Sequence, residues 1–278
     1  MNAAGYSKEF SMEKFYDETL KVFFALLQEA LETGIIPERV RRCKALPQEP
    51  QGTLFLFPAG ELGMQDCIGG PEQEQKSLKA MRQLRAYSEA VFQDCLQAWM
   101  SEQPIETDII RYAVRLLRAP KGSCVETLRT DRSFKPCQVV LAASQRYLRE
   151  QDRLLGLLRF KPTREGYLVA ACEPESFALP GLAAPLKRRF GTTPWAVQDE
   201  KRHLVLACDG LGEPELSLYD PKQPPFSPSE GLVPDEFEAL WQEYYQIINI
   251  ETRKNPELRK HLMPLRYWKY LPELQDPH

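Results

Sequence analysis

The hydrophobic period of this chain changes near residue 157, and that change constrains the fold more than any other feature. Upstream, apolar residues recur at helical spacing. Phe15, Leu20, Phe23, Phe24, Leu27 and Leu31 mark a helix across 11–33, with Gly34 as its stop. Residues 45–72 carry Gly and Pro without periodicity and read as a loop. Gln73–Met100 reads as one long helix or two abutting ones, and Thr107–Arg118 as another. Phe134–Leu155 is a further helix, with Val139, Leu141, Ala142 and Tyr147 toward its core. Downstream the runs are short and β-prone: LLRF at 157–160, YLVAAC at 167–172, TPWAVQDE, HLVLACDG and, as a possible fifth, LSLY at 216–219. A helix at Leu179–Phe190 interrupts them and ends in Lys187, Arg188 and Arg189, cations that suit the negative end of a helix dipole. Asp220–Pro234 is rich in Pro and Ser and reads as a loop. Asp235 then caps a helix through Ile247, with Phe237, Leu240, Trp241, Tyr244 and Tyr245 as its apolar face. Helices first and strands second predict an α+β fold. The expected organisation is a mostly helical part, 1–152, followed by 153–278, an antiparallel sheet covered by helices; one continuous domain is the alternative.

Several function classes drop out. GxSxG, Walker A, GxGxxG and HExxH are absent, which removes the usual signatures of α/β hydrolases, P-loop NTPases, dinucleotide folds and zincins. The seven cysteines are widely spaced, without a CxxC pair, and only three histidines exist. No metal site and no cofactor are therefore expected, and buried structural cysteine is the reading of the thiols. No apolar run reaches the roughly 18 residues that span a bilayer, and the N-terminus lacks the layout of a signal peptide. No membrane partner is expected, and the expected location is the cytoplasm.

The C-terminal segment is unusual in a chain of net charge −3. From Arg253 to Lys269 there are six Arg or Lys residues against one Glu, interleaved with Tyr267, Trp268 and Tyr270. Without that stretch the remainder carries −8, so the charge is segregated along the sequence. Cations neutralise phosphates and rings stack on exposed bases, so the tail suits a nucleic-acid surface. The same residues also suit a strap, its apolar side chains anchored on the sheet and its cations in water. A helical turn after Pro264 would put Leu265, Trp268 and Leu271 on one face, with Trp268 as the anchor and Arg266 and Lys269 outward.

Specific residues from Leu158 to Leu271 also resemble a known family. The signatures are Arg159–Phe160, Glu173–Pro174, Arg188 to Phe190, the W-x-x-x-D of Trp195 to Asp199, the Cys208-Asp209-Gly210 turn and LWQEYY at 240–245. The last, NP-x-L-x(4)-MP-x-RYWKYL from Asn255 to Leu271, runs over 17 residues. Together they are similar to the C-terminal domain of a bacterial family of putative DNA-repair or probable DNA-metabolism proteins, a domain of unknown function. With LFLF at 54–57 and the helices that follow, the resemblance covers nearly the whole chain. It implies DNA as ligand and a radical-SAM protein, encoded nearby, as partner; the domain also occurs fused to a uracil-DNA-glycosylase-like domain. Family members tend to carry histidine where this chain has Asp152, Ser176 and Gln198, so any site built on those histidines is missing here.

Three readings follow. The first is a nucleic-acid-binding accessory to the radical-SAM partner, using Arg253, Arg259, Lys260, Arg266 and Lys269, with Tyr267 or Trp268 stacking. The second is a lesion-processing, glycosylase-like enzyme in which Asp199, with Glu175 as a second carboxylate, activates water. The third is a protein-docking scaffold that uses the tail and the cationic stripe Arg111, Arg115 and Arg118.

Overall fold

The computed structural model describes residues 13–16, 19–42, 71–120, 122–222, 240, 241, 243, 244, 247 and 255–274. The chain divides into two compact units, with the break between Tyr147 and Leu148.

The described part of the first unit is mostly helical. Strand β1 (Glu13–Tyr16) pairs in parallel with β2 (Arg39–Arg42), and helix α1 (Leu20–Thr33) lies between them in sequence. The helix expected over 11–33 is therefore shorter at its start. Thr19 is extended and its hydroxyl accepts the Val22 N–H, so the helix begins there. Gly34 ends it in the left-handed conformation, its N–H bonded to the Ala30 carbonyl. The 73–100 stretch is two helices, α2 (Pro71–Tyr87) and α3 (Glu89–Met100), divided at Ser88, which caps α3. Helix α4 (Glu106–Leu117) and the short α5 (Val125–Arg129) follow. Phe23, Phe24, Leu27, Phe92, Ile109 and Ile110 are fully buried.

Helix α6 (Lys135–Leu157) begins in the first unit and ends in the second. Its buried stripe is Val140, Ala143, Tyr147, Glu150 and Leu154. Tyr147 was expected there, but Val139 and Leu141 are only half-buried and Ala142 is exposed. The expected face was rotated by one residue, because alanines at 142 and 143 leave the register undefined by size. The stripe carries a glutamate, and the site below is built on it.

The second unit holds a five-stranded sheet of order β3-β4-β5-β6-β7: Lys161–Pro162, Leu168–Cys172, Trp195–Asp199, Leu204–Cys208 and Glu215–Leu218. The fold is α+β, as expected, but the sheet is mixed. Three pairings are antiparallel, while β4 and β5 run parallel. Helix α7 (Leu179–Phe190) carries the chain between those two strands, which is how a parallel pair must be connected. All five residues of β5 are buried. Alternation sends Trp195 and Val197 to one face, with Leu154, Leu158, Ala170, Leu182, Leu186 and Leu206. Ala196 goes to the other face, with Val169 and Val205. The tail follows as α8 (Pro256–Leu262), a 3-10 helix at Leu265–Tyr270 and a second at Pro272–Leu274.

Cys95, Cys137, Cys172 and Cys208 are buried free thiols, and Cys124 is exposed. Cys43 and Cys67 lie outside the described residues, as do the 45–70 part of the expected loop and residues 223–239. No helix of the described residues is long and apolar enough to cross a membrane.

Candidate functional site

Strands β4 and β5 end side by side at Cys172 and Asp199, because their parallel register pairs those two residues. In sheets with parallel strands, the carboxyl end of the strands is where ligands are usually received. Five carboxylates gather here: Glu150 from α6, Glu173 and Glu175 after β4, and Asp199 and Glu200 at the end of β5. The tail brings Arg266, Tyr267, Lys269 and Tyr270 onto them. Residues that the sequence separated into catalytic acids and nucleic-acid-binding cations thus meet in one cluster.

Glu150 is the centre, with 3% of its surface exposed. It accepts the backbone N–H groups of Glu175 and Ser176, both at 2.8 Å. It also accepts the Tyr267 hydroxyl at 2.8 Å and the Arg266 guanidinium at 3.3 Å. Burial pushes its carboxyl up, but hydrogen bonds from Ser176, Glu175 and Tyr267 outweigh that, and the net shift is below the usual glutamate range. Burial likewise raises the Tyr267 phenol, which stays neutral and donates. Arg266 also pairs with Glu175 and lies over the Tyr267 ring. Lys269 bridges Glu173 and Glu200, both at 3.1 Å, and the Tyr270 hydroxyl donates to Glu200 at 2.5 Å.

Asp199 is fully buried. One oxygen accepts the N–H groups of Lys201 and Arg202, closing the β5–β6 turn, and the other accepts the Arg202 guanidinium at 2.8 Å. Burial raises its carboxyl, and Arg202 offsets only part of that rise. Arg202 continues to the carbonyls of Pro174 and Glu175, tying this turn to the loop after β4. Asp199 therefore acts as a turn cap and one half of a buried ion pair, with no open side toward water. Glu175 is exposed but engaged by Arg266. Among the described residues, no group of three His, Cys, Asp or Glu side chains is placed to hold a metal ion.

The remaining expected residues divide as follows. Tyr267 is 2% exposed and part of the core cluster, so the ring is not presented to a base. Trp268, the expected anchor, is half-buried instead; its indole N–H donates to the Met263 carbonyl at 2.7 Å and Arg259 lies over its ring. Leu265 is exposed and Leu271 fully buried. The anchor moves from Trp268 to Tyr267 because the Tyr267 hydroxyl reaches a buried carboxylate that the indole does not. Lys260 is exposed and pairs with Glu257 on α8. Arg253 lies outside the described residues. Asp152 is exposed, Ser176 is buried beside Glu150, and Gln198 is buried with its amide donating to the Tyr219 hydroxyl at 2.9 Å. Strand alternation puts Gln198 on the face opposite Asp199.

Of the stripe on α4, Arg115 pairs with Asp131 at 2.5 Å and Arg118 donates to the Leu31 carbonyl, while Arg111 stays exposed. Glu150, Arg202, Glu200 and Tyr270 were missed from the sequence. For Glu150 the signal existed: a charge three residues after Tyr147 and four before Leu154, on an apolar stripe.

The chain belongs to a family described as a domain of unknown function, DUF4130, which matches residues 106–273. That span contains every residue of the cluster. No curated protein and no solved structure matches the chain.

Proposed function

We propose that this protein is a nucleic-acid-binding accessory of DNA metabolism that works with a radical-SAM partner rather than an enzyme in its own right. One observation carries the preference for binding over catalysis: the candidate carboxylates are committed to the protein's own donors. Asp199 has both oxygens occupied, and Glu175 is held by Arg266. A general base needs an oxygen within reach of the proton it removes. The nucleic-acid half of the proposal is supported by cations that remain at the surface. On α8, Arg259 lies over the Trp268 ring, and among the described residues Lys260 pairs with Glu257, an exposed pair worth about 0.3–0.5 kcal/mol that a phosphate can replace. The radical-SAM partner rests on the family resemblance alone. Fluorescence anisotropy with single- and double-stranded oligonucleotides at about 50 mM salt tests the proposal. Binding that weakens in Arg259→Ala/Lys260→Ala supports it, and no binding to any oligonucleotide overturns it.

A second reading, docking to protein, is supported by the row Leu258, Leu262 and Leu265, all exposed. Nuclease-resistant co-purification with the neighbouring radical-SAM protein, lost in Leu258→Ser/Leu262→Ser, would favour it.

A further inference from the structure

The two ends of the sheet in the second unit treat their cations differently. The register places the β3–β4 hairpin (163–166), the turn from α7 into β5 (191–194) and the β6–β7 turn together, opposite the end that holds Glu150. The last two are in direct contact. Gly210 is left-handed, and a Cβ there would sit 2.0 Å from the Thr192 carbonyl oxygen.

Four cations stand at this end: Arg164 in the hairpin, and Lys187, Arg188 and Arg189 in the last turn of α7. Lys187 pairs with Glu213 at 2.5 Å. Arg164, Arg188 and Arg189 are exposed, and none has a carboxylate partner among the described residues. Arg189 is instead held by rings: it lies over Phe160 and Phe190, which meet edge to face at 4.7 Å. Two of the nearby carboxylates are committed. Asp209 accepts the N–H groups of Leu211 and Gly212, and Glu213 is taken by Lys187. Glu165 beside Arg164 and Glu215 at the start of β7 remain exposed.

The helix dipole explains why cations sit at the end of α7, but not why the facing hairpin adds another guanidinium, nor why none of the three is neutralised. Guanidinium forks match phosphate oxygens in pairs. We infer that Arg164, Arg188 and Arg189 form a surface for the phosphodiester backbone of a nucleic acid. The inference rests on the nucleic-acid reading above and locates a contact that the sequence pattern of the tail did not suggest. Phe160 and Phe190, half-buried against the core, hold Arg189 in place rather than stack on bases.

The test is binding of the full-length protein to a fluorescent oligonucleotide across a salt series, for wild type, Arg164→Ala/Arg188→Ala, Arg259→Ala/Lys260→Ala and Glu165→Gln. Each phosphate contact contributes about 0.7–0.9 to the slope of log affinity against log salt. The Arg164/Arg188 variant is expected to lose about tenfold or more in affinity and to lower the slope by about two. Glu165→Gln is expected to tighten binding. Thermal melts should be unchanged in both, since these side chains are exposed. If Arg164→Ala/Arg188→Ala binds like wild type with the same slope while the α8 variant loses affinity, this surface is wrong and the nucleic-acid reading stands. If wild type binds nothing, both fall.

Discussion

At the carboxyl end of β4 and β5, Arg202, Arg266 and Lys269 are each matched to carboxylates of the same unit. At the opposite end, Arg164, Arg188 and Arg189 are matched to none among the described residues. The same residue types therefore do different physical work. Half-buried beside Glu150 and Asp199, a guanidinium neutralises a desolvated charge and fastens one segment to another. In water at the end of α7, it is available to a partner. A basic stretch in a sequence is evidence for a polyanion surface only when the fold does not supply the counter-charges, and for Arg266 and Lys269 the fold supplies them.

Breaking the fastened end should have the largest effect. Glu150→Ala removes the acceptor for two backbone N–H groups, a phenol and a guanidinium, all of them buried or half-buried. A loss of about 3–5 kcal/mol is expected in denaturant melts. A variant as stable as wild type would mean that the cluster is not holding the tail. Tyr267→Phe keeps the ring and removes one buried hydrogen bond, and should cost about 1–3 kcal/mol, with Glu150 left short of a donor.

Acid acts on Glu150 and Asp199 in opposite directions. The Glu150 carboxyl lies below its unfolded value of about 4.3, so its contribution is complete above that pH and is lost as pH falls through the folded value. Asp199 is raised and works in the opposite sense: its charged form costs stability above the folded value, and protonation relieves that cost. The stability gap between wild type and Glu150→Gln, measured by chemical denaturation from pH 7 down to about pH 3, should therefore narrow below about pH 4. A gap that stays constant would contradict the ionised role given to Glu150.

The smallest effects belong to the surface. Lys269→Ala removes a half-exposed cation shared by two carboxylates and should cost about 1 kcal/mol or less. Arg188→Ala should change stability by no more than about 0.5 kcal/mol while still weakening nucleic-acid binding.

The sequence made β4 and β6 legible because strands buried on both faces read as continuous apolar runs, as YLVAAC and HLVLAC do, whereas LLRF at 157–160, expected as a strand, is the end of α6 and the residues leading into β3. Strand direction was not legible in those runs. It was implied by the helix between β4 and β5, since a crossover of that length joins parallel neighbours. Strand β1 was hidden because Phe15 fits the helical period of the residues after it. In the site, Arg266 was visible as a residue type, but its partners Glu175 and Glu150 lie 91 and 116 residues away in the chain. No local pattern encodes such pairing. Trp268 attracted the anchor role by size, whereas the decision was made by a hydroxyl placed to reach a buried carboxylate.

The tail is a strap fastened through Glu150, not a free cationic arm. Hydrogen–deuterium exchange across Arg266–Leu271 tests it most directly, in wild type and Glu150→Gln, each with and without oligonucleotide. Slow exchange is expected at the Tyr267 and Leu271 amides, which bond to the Pro264 and Trp268 carbonyls, in wild type without ligand. Loss of that protection is expected in Glu150→Gln, and no change when oligonucleotide is added to wild type. Tail amides that exchange freely in wild type, and slow only when nucleic acid is present, would contradict it.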